Sequence, residues 1–149
     1  MALQNISVGG TFGFGGTSIS GSTTQGLLVS NSPANLDFGA TVVNLAGGTD
    51  AISLQSSSAG GTRSFSSVTV TNGGGVGLLL FNAGNVSIGG GSIATSNRAA
   101  IDASGTNALT VTLASVSSTN STGKGINIDA ATGTLSIAGG AISGSANEA

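Results

Sequence analysis

"GINIDAATGTLSIAGGAISGSANEA", from Gly125 to Ala149, holds short apolar alternations separated by small residues, with Leu135 and Ile137 as the clearest pair. One residue between the members of such a pair puts both side chains on one face of a β-strand. Near the other end, "ALQNISVGGTFGFGGTSISGSTTQ" (Ala2–Gln25) has the same layout. Set under one another without a gap, Ile126 falls on Leu3, Leu135 on Phe12, Ile137 on Phe14, and Ile142 on Ile19. Matching ends call for a search for a period through the middle.

The period is there. A short apolar segment introduced by a small residue recurs as "ALQN" at Ala2, "GLLV" at Gly26, "AISL" at Ala51, "GLLL" at Gly77, "AIDA" at Ala100 and "GINI" at Gly125. Successive starts lie 24, 25, 26, 23 and 25 residues apart, giving units 2–25, 26–50, 51–76, 77–99, 100–124 and 125–149 within one domain, 1–149. A second alternation follows in each unit: Phe12/Phe14, Leu36/Phe38, Val86/Ile88, Val111/Leu113 and Leu135/Ile137. A third apolar position usually comes five residues later, at Ile19, Val43, Val70, Ile93 and Ile142, with Val116 in that role only three residues beyond Leu113. In unit 51–76 strict alternation with Phe65 would turn Arg63 inward, so a local shift or bulge is expected there. The segments between are Gly, Ser, Thr, Asn and Ala, residues that turn a chain or tolerate left-handed backbone.

Three short strands in about 25 residues cannot bury their apolar stripes alone, but stacked copies can. Each strand then pairs in parallel with its equivalent in the next unit. The expected fold is all-β: a right-handed parallel β-helix, that is a three-sided β-solenoid, of six coils. At ~4.8 Å per rung it would be on the order of 29 Å long. The expected inward ladders are Leu3, Leu27, Ile52, Leu78, Ile101, Ile126 on one wall and Phe14, Phe38, Phe65, Ile88, Leu113, Ile137 on another. A propeller blade needs ~40 residues per repeat and a hexapeptide solenoid a strict six. An antiparallel sandwich gives no reason for equivalent residues to match across six units.

Composition narrows the function classes. Only 5% of residues are charged and the formal net charge is −2, too weak to steer the chain to nucleic acid. A mean hydropathy of +0.38 and many β-branched residues argue against disorder. No stretch approaches the ~18 uninterrupted apolar residues of a membrane-spanning helix, so membrane insertion is not expected. There is no Cys to report on redox compartment, and the N-terminus lacks the pattern of a signal peptide.

The alternation of "GINI", "GTLSI", "GGAIS" and "LTVTLASVSS" resembles the β-strand repeats of large bacterial surface proteins, including autotransporter passenger domains and related adhesins of the pectin-lyase-like superfamily. The resemblance implies an extracellular or bacterial cell-surface location and a structural, presenting role rather than an enzymatic one. Many enzymes of this fold class cleave acidic polysaccharides with carboxylates and a basic residue on one wall. The nearest candidates here are Arg98, Asp102, Lys124 and Asp129, with Asp102 and Asn127 expected one coil apart. A carbohydrate-binding or polysaccharide-cleaving wall is thus the alternative reading, and an engineered building block a further one.

Other chemistry is thinly represented. With no His or Cys, and with Asp37, Asp50, Asp102, Asp129 and Glu148 at different places in their units, no metal site or cofactor is expected. The Ser-rich stretches (Ser56–Ser58 and Ser115–Ser121) have no His base. "SVGGTFGFGG" (Ser7–Gly16) is not followed by a helix that could receive a phosphate. The pairs Thr69/Thr71 and Thr110/Thr112 would need one flat Thr ladder to bind ice, and the intervening positions vary. Asn72, Asn97, Asn120 and Asn147 precede new units, where the two expected roles are stacked amides and left-handed turns. The expected partners are a second copy, stacked head to tail through open end rungs, or flanking coils of a longer parent, with a surface glycan or protein as a further ligand. From Ile126 through Ala149 to Leu3 of a following copy is 26 residues, within the internal range of 23 to 26.

Overall fold

The computed structural model describes residues 1–7, 10–57, 60–105 and 107–146. Its first two coils are β1 (Ala2–Gln4), β2 (Thr11–Gly13), β3 (Thr17–Ser20) and β4 (Leu27–Ser30), β5 (Asn35–Asp37), β6 (Ala40–Leu45). The next two are β7 (Ile52–Gln55), β8 (Thr62–Phe65), β9 (Ser67–Asn72) and β10 (Leu78–Phe81), β11 (Gly84–Ile88), β12 (Gly91–Ser96). The last two are β13 (Ile101–Ser104), β14 (Asn107–Leu113), β15 (Ser115–Thr119) and β16 (Ile126–Ile128), β17 (Ala131–Ile137), β18 (Ile142–Ser143). Like strands pair in parallel from coil to coil, making three six-stranded sheets: β1-β4-β7-β10-β13-β16, β2-β5-β8-β11-β14-β17 and β3-β6-β9-β12-β15-β18. The chain is a three-walled β-solenoid of six coils.

Alternation explains the walls. In β6 the pattern runs exposed-buried through Thr41, Val43 and Leu45, and in β9 Val68, Val70 and Asn72 point in. On the first wall Leu27, Ile52, Leu78 and Ile101 stack in register and are at most 1% exposed, and Ile126 continues the column. Full burial of each Leu or Ile contributes about 2 kcal/mol, an amount one rung alone could not collect.

Several positions depart from the expected ladders. Leu3 stacks on Val29, not on Leu27, and so belongs to the neighbouring column with Leu54, Leu80 and Ala103. On the second wall the column Phe38, Phe65 and Ile88 continues into Val111 and Leu135; Leu113 and Ile137 form a separate inward pair two residues on. Ile142 lies opposite Ser118, not Val116. On the second wall the reason is that β14 and β17 each carry more apolar or small inward positions than one column needs, so period-2 alternation alone admits either register. With Val111 in place, the step from second to third wall is five residues at Phe38–Val43, Phe65–Val70, Ile88–Ile93 and Val111–Val116, and the irregular step of three disappears.

The expected bulge at Arg63 is also absent. Arg63 pairs with Leu36 on one side and Val86 on the other without a break, and its side chain is fully buried. Its guanidinium donates to the carbonyls of Gly61 and Ser32 at the corner between first and second walls. Nε has no partner among the described residues, and burial pushes the guanidinium down from its usual basicity. An inward cation is tolerated because the corner turn supplies carbonyls that an apolar side chain would leave without a donor.

That corner has its own column. Asn5, Asn31, Ser56, Asn82, Gly105 and Ala130 each follow the first-wall strand, and every one has positive φ. Asn leads because its short polar side chain tolerates the left-handed region, and Asn31 Nδ2 donates to Asn5 Oδ1 at 2.7 Å. On the second wall Phe14, Phe38 and Phe65 stack with ring centroids 5.0 and 4.9 Å apart and planes within 14°.

Candidate functional site

At the corner where the third wall returns to the first, the connections that leave the second to fifth coils are residues 46–51, 73–77, 97–100 and 120–125. Two long turns therefore flank two short ones, and a depression lies between them. Asp50, Val76, Ala99 and Lys124 occupy equivalent positions just before each new first-wall strand. At ~4.8 Å per rung this places Asp50 and Lys124 about 14 Å apart along the axis, with an apolar floor between them.

The depression has two parts. A groove of about 340 Å³ is lined by Val76, Arg98, Ala99, Asp102, Lys124 and Asn127, together with Ser121, Thr122 and Gly123. A second hollow of about 300 Å³ continues past Arg98 to Asp50 and the glycines of the neighbouring turns. Of the three residues proposed from sequence beside Asp102, the structure brings Arg98 and Lys124 to the groove. Asp129 does not line it: its backbone N–H donates to Ala103 at the other end of the same wall, and its side chain is exposed.

Buried hydroxyls hold this corner in place. Thr95 Oγ1 and Ser118 Oγ both donate to the Arg98 carbonyl at 2.9 Å, and Ser121 Oγ donates to the Lys124 carbonyl at 2.9 Å. Asn127 Nδ2 donates to Asp102 Oδ1 at 3.0 Å across adjacent rungs, so the expected stacking of these two residues is real and is a hydrogen bond. Asp50 Oδ1 accepts from the Val76 N–H at 3.2 Å. Burial raises the Asp50 carboxyl above its usual range; the Val76 N–H and Arg98 pull it back, and Asp102 adds to the rise.

Sequence reading missed Asp50 as a member of this cluster, along with the three hydroxyls. Their signal was weak: Thr95 and Ser118 stand in the inward column that begins with Leu45 and Asn72, where an apolar residue is the default. No ion pair of 4 Å or less joins Asp50, Arg98, Asp102 or Lys124 to one another among the described residues.

The remaining candidates scatter. Asp37 faces out from the second wall and accepts the Gly39 N–H at 3.1 Å. Thr69 and Thr71 are on the third wall, Thr110 and Thr112 on the second, so they do not share a flat face. Asn97 and Asn120 take left-handed backbone, whereas Asn72 points inward and donates to Thr49 and Val76 carbonyls. Ser57 is buried and donates to Gln55. Val8, Gly9, Ser58, Asn147 and Glu148 lie outside the described residues. Among the described residues no three carboxylates gather where they could hold a metal ion.

The class of protein defined here is a parallel β-solenoid with four of its eight charged side chains, Asp50, Arg98, Asp102 and Lys124, gathered at one corner. Compared with protein-family models, curated proteins and solved structures, the chain matches none.

Proposed function

We propose that this chain is a structural segment of an extracellular or cell-surface protein, extending and presenting other parts of it. The observation that carries the reading is the unbroken stacking of three six-stranded parallel sheets joined by short turns. Such a prism is stiff along its axis because each rung is hydrogen-bonded to the next at all three walls. Its outward positions are mainly small and hydroxylic, as Ser64, Ser87, Thr110 and Thr134 on the second wall illustrate. The resemblance to bacterial surface repeats supports the location.

The partner in this reading is another rung. The outer edges of β1–β3 and of β16–β18 pair with no strand among the described residues, and Phe12 at the first edge is 40% exposed. A further coil, from a second copy or from a longer chain, satisfies those edges. Sedimentation of the 149-residue chain over a hundredfold concentration range is expected to show growing species, and a monomer throughout would remove this partner from the proposal.

A glycan array and a lyase assay on acidic polysaccharides test the reading against the enzymatic one. The expected result is no turnover. Turnover abolished by Asp102→Ala or Asp129→Ala would overturn the structural reading. Antibody labelling of intact cells of the source organism tests location: signal only after permeabilisation would refute it.

A further inference from the structure

The corner groove sorts its charges by sign. Arg98 and Lys124 belong to the turns, one rung apart; Asp102 and Asn127 belong to the outward face of the first wall, also one rung apart. Two cations from the turns, Arg98 and Lys124 (the latter equivalent in position to Ala99), thus line the groove together with the wall acceptors Asp102 and Asn127 and the apolar Val76 and Ala99. On a chain with only three basic and five acidic side chains, this concentration is not explained by solubility. Arg98 acts on Asp50 at a distance, but among the described residues no ion pair of 4 Å or less closes between Asp50, Arg98, Asp102 and Lys124.

From this arrangement we propose that the groove binds a small zwitterion, a molecule or chain end carrying an ammonium and a carboxylate a few ångström apart. The carboxylate faces Arg98, whose planar guanidinium gives two parallel donors, and Lys124 adds a point charge. The ammonium faces Asp102 Oδ2 and Asn127 Oδ1, the acceptors left over once Asn127 Nδ2 has donated to Asp102 Oδ1. A ligand of one sign only would desolvate the opposite side without compensating it, which is costly. A neutral polyol can hydrogen-bond to both sides but carries no charge to offset either, so its bonds are the weaker ones. A volume of about 340 Å³ admits a dipeptide and excludes nothing smaller.

The proposal goes beyond the structural role and does not depend on it. The probe is the free dipeptide alanyl-alanine, titrated into the full chain and followed by NMR shifts of the Arg98, Asp102 and Asn127 amides. Saturable binding is expected, weakened on the order of tenfold or more by acetylating the amine or amidating the carboxylate. Arg98→Gln and Asp102→Asn are expected to weaken it similarly while leaving the melting temperature within a few degrees. Arg98 is exposed and Asp102 half-buried, so neither change threatens folding. The proposal is overturned if the dipeptide gives no saturable shift, if either blocked form binds as well as the free one, or if galacturonate binds more tightly than the dipeptide.

Discussion

Phe38 is the middle of three stacked rings and is fully buried, whereas Phe14, at the end of the same stack, is only half-buried. The two therefore undergo the same chemical change, Phe→Ala, with different losses. Phe38→Ala leaves a cavity closed on both sides and removes both ring contacts, for a cost of about 4 kcal/mol. Phe14→Ala exposes a site already open to solvent and removes one contact, for about 1–2 kcal/mol. In a domain of this length 1 kcal/mol moves Tm by roughly 2–4 °C, so Phe38→Ala should lower it by about 8–16 °C. Urea unfolding followed by circular dichroism measures both, and an unchanged m reports that the same surface is exposed in each case. Should Phe14→Ala cost as much as Phe38→Ala, the order of the stack, and with it the register of the second wall, would be wrong.

Leu80→Asp places an unpaired charge in a column that is 1% exposed and should leave the chain unfolded, while Thr112→Asp, outward on the second wall, should shift stability by no more than about 0.5 kcal/mol in urea titration. Gly39 has φ +59° and a Cβ there would overlap the Gly15 carbonyl, so Gly39→Ala should unfold the chain or displace its urea midpoint strongly downward. Ala130 stands at φ 57° in the left-handed column, and Ala130→Gly should raise the midpoint by up to about 1 kcal/mol equivalent. The carboxyl of Asp50 is raised in the folded state, so its favourable contribution exists at low pH and is lost as pH rises through the folded value. Asp50→Asn should accordingly match the parent below about pH 3.8 and become the more stable of the two as pH rises to neutrality, as thermal melts across that range would show.

The coil count, the parallel pairing and the first-wall column from Leu27 to Ile126 were legible in the spacing of apolar residues, although Leu3 was placed in the wrong column. Periodicity reports them directly: a strand's faces alternate every two residues, and only stacking of like on like explains six similar units. Even the correct register of the second wall was latent, in the constant step of five from Phe38 to Val43 through Val111 to Val116. Composition likewise confined the chemistry to a few charged residues. What spacing could not supply was the fate of groups whose cost depends on their surroundings. Arg63 goes inward because two carbonyls happen to meet it at the corner, and no local pattern encodes where those carbonyls lie. Asp50 stands 48 residues before Arg98, and Lys124 follows Arg98 by 26; each lines a hollow together with Arg98 only because of the lengths of the turns on successive rungs. Position along a wall is a property of sequence, but proximity across rungs is the sum of every turn length between, and only the folded chain performs that sum.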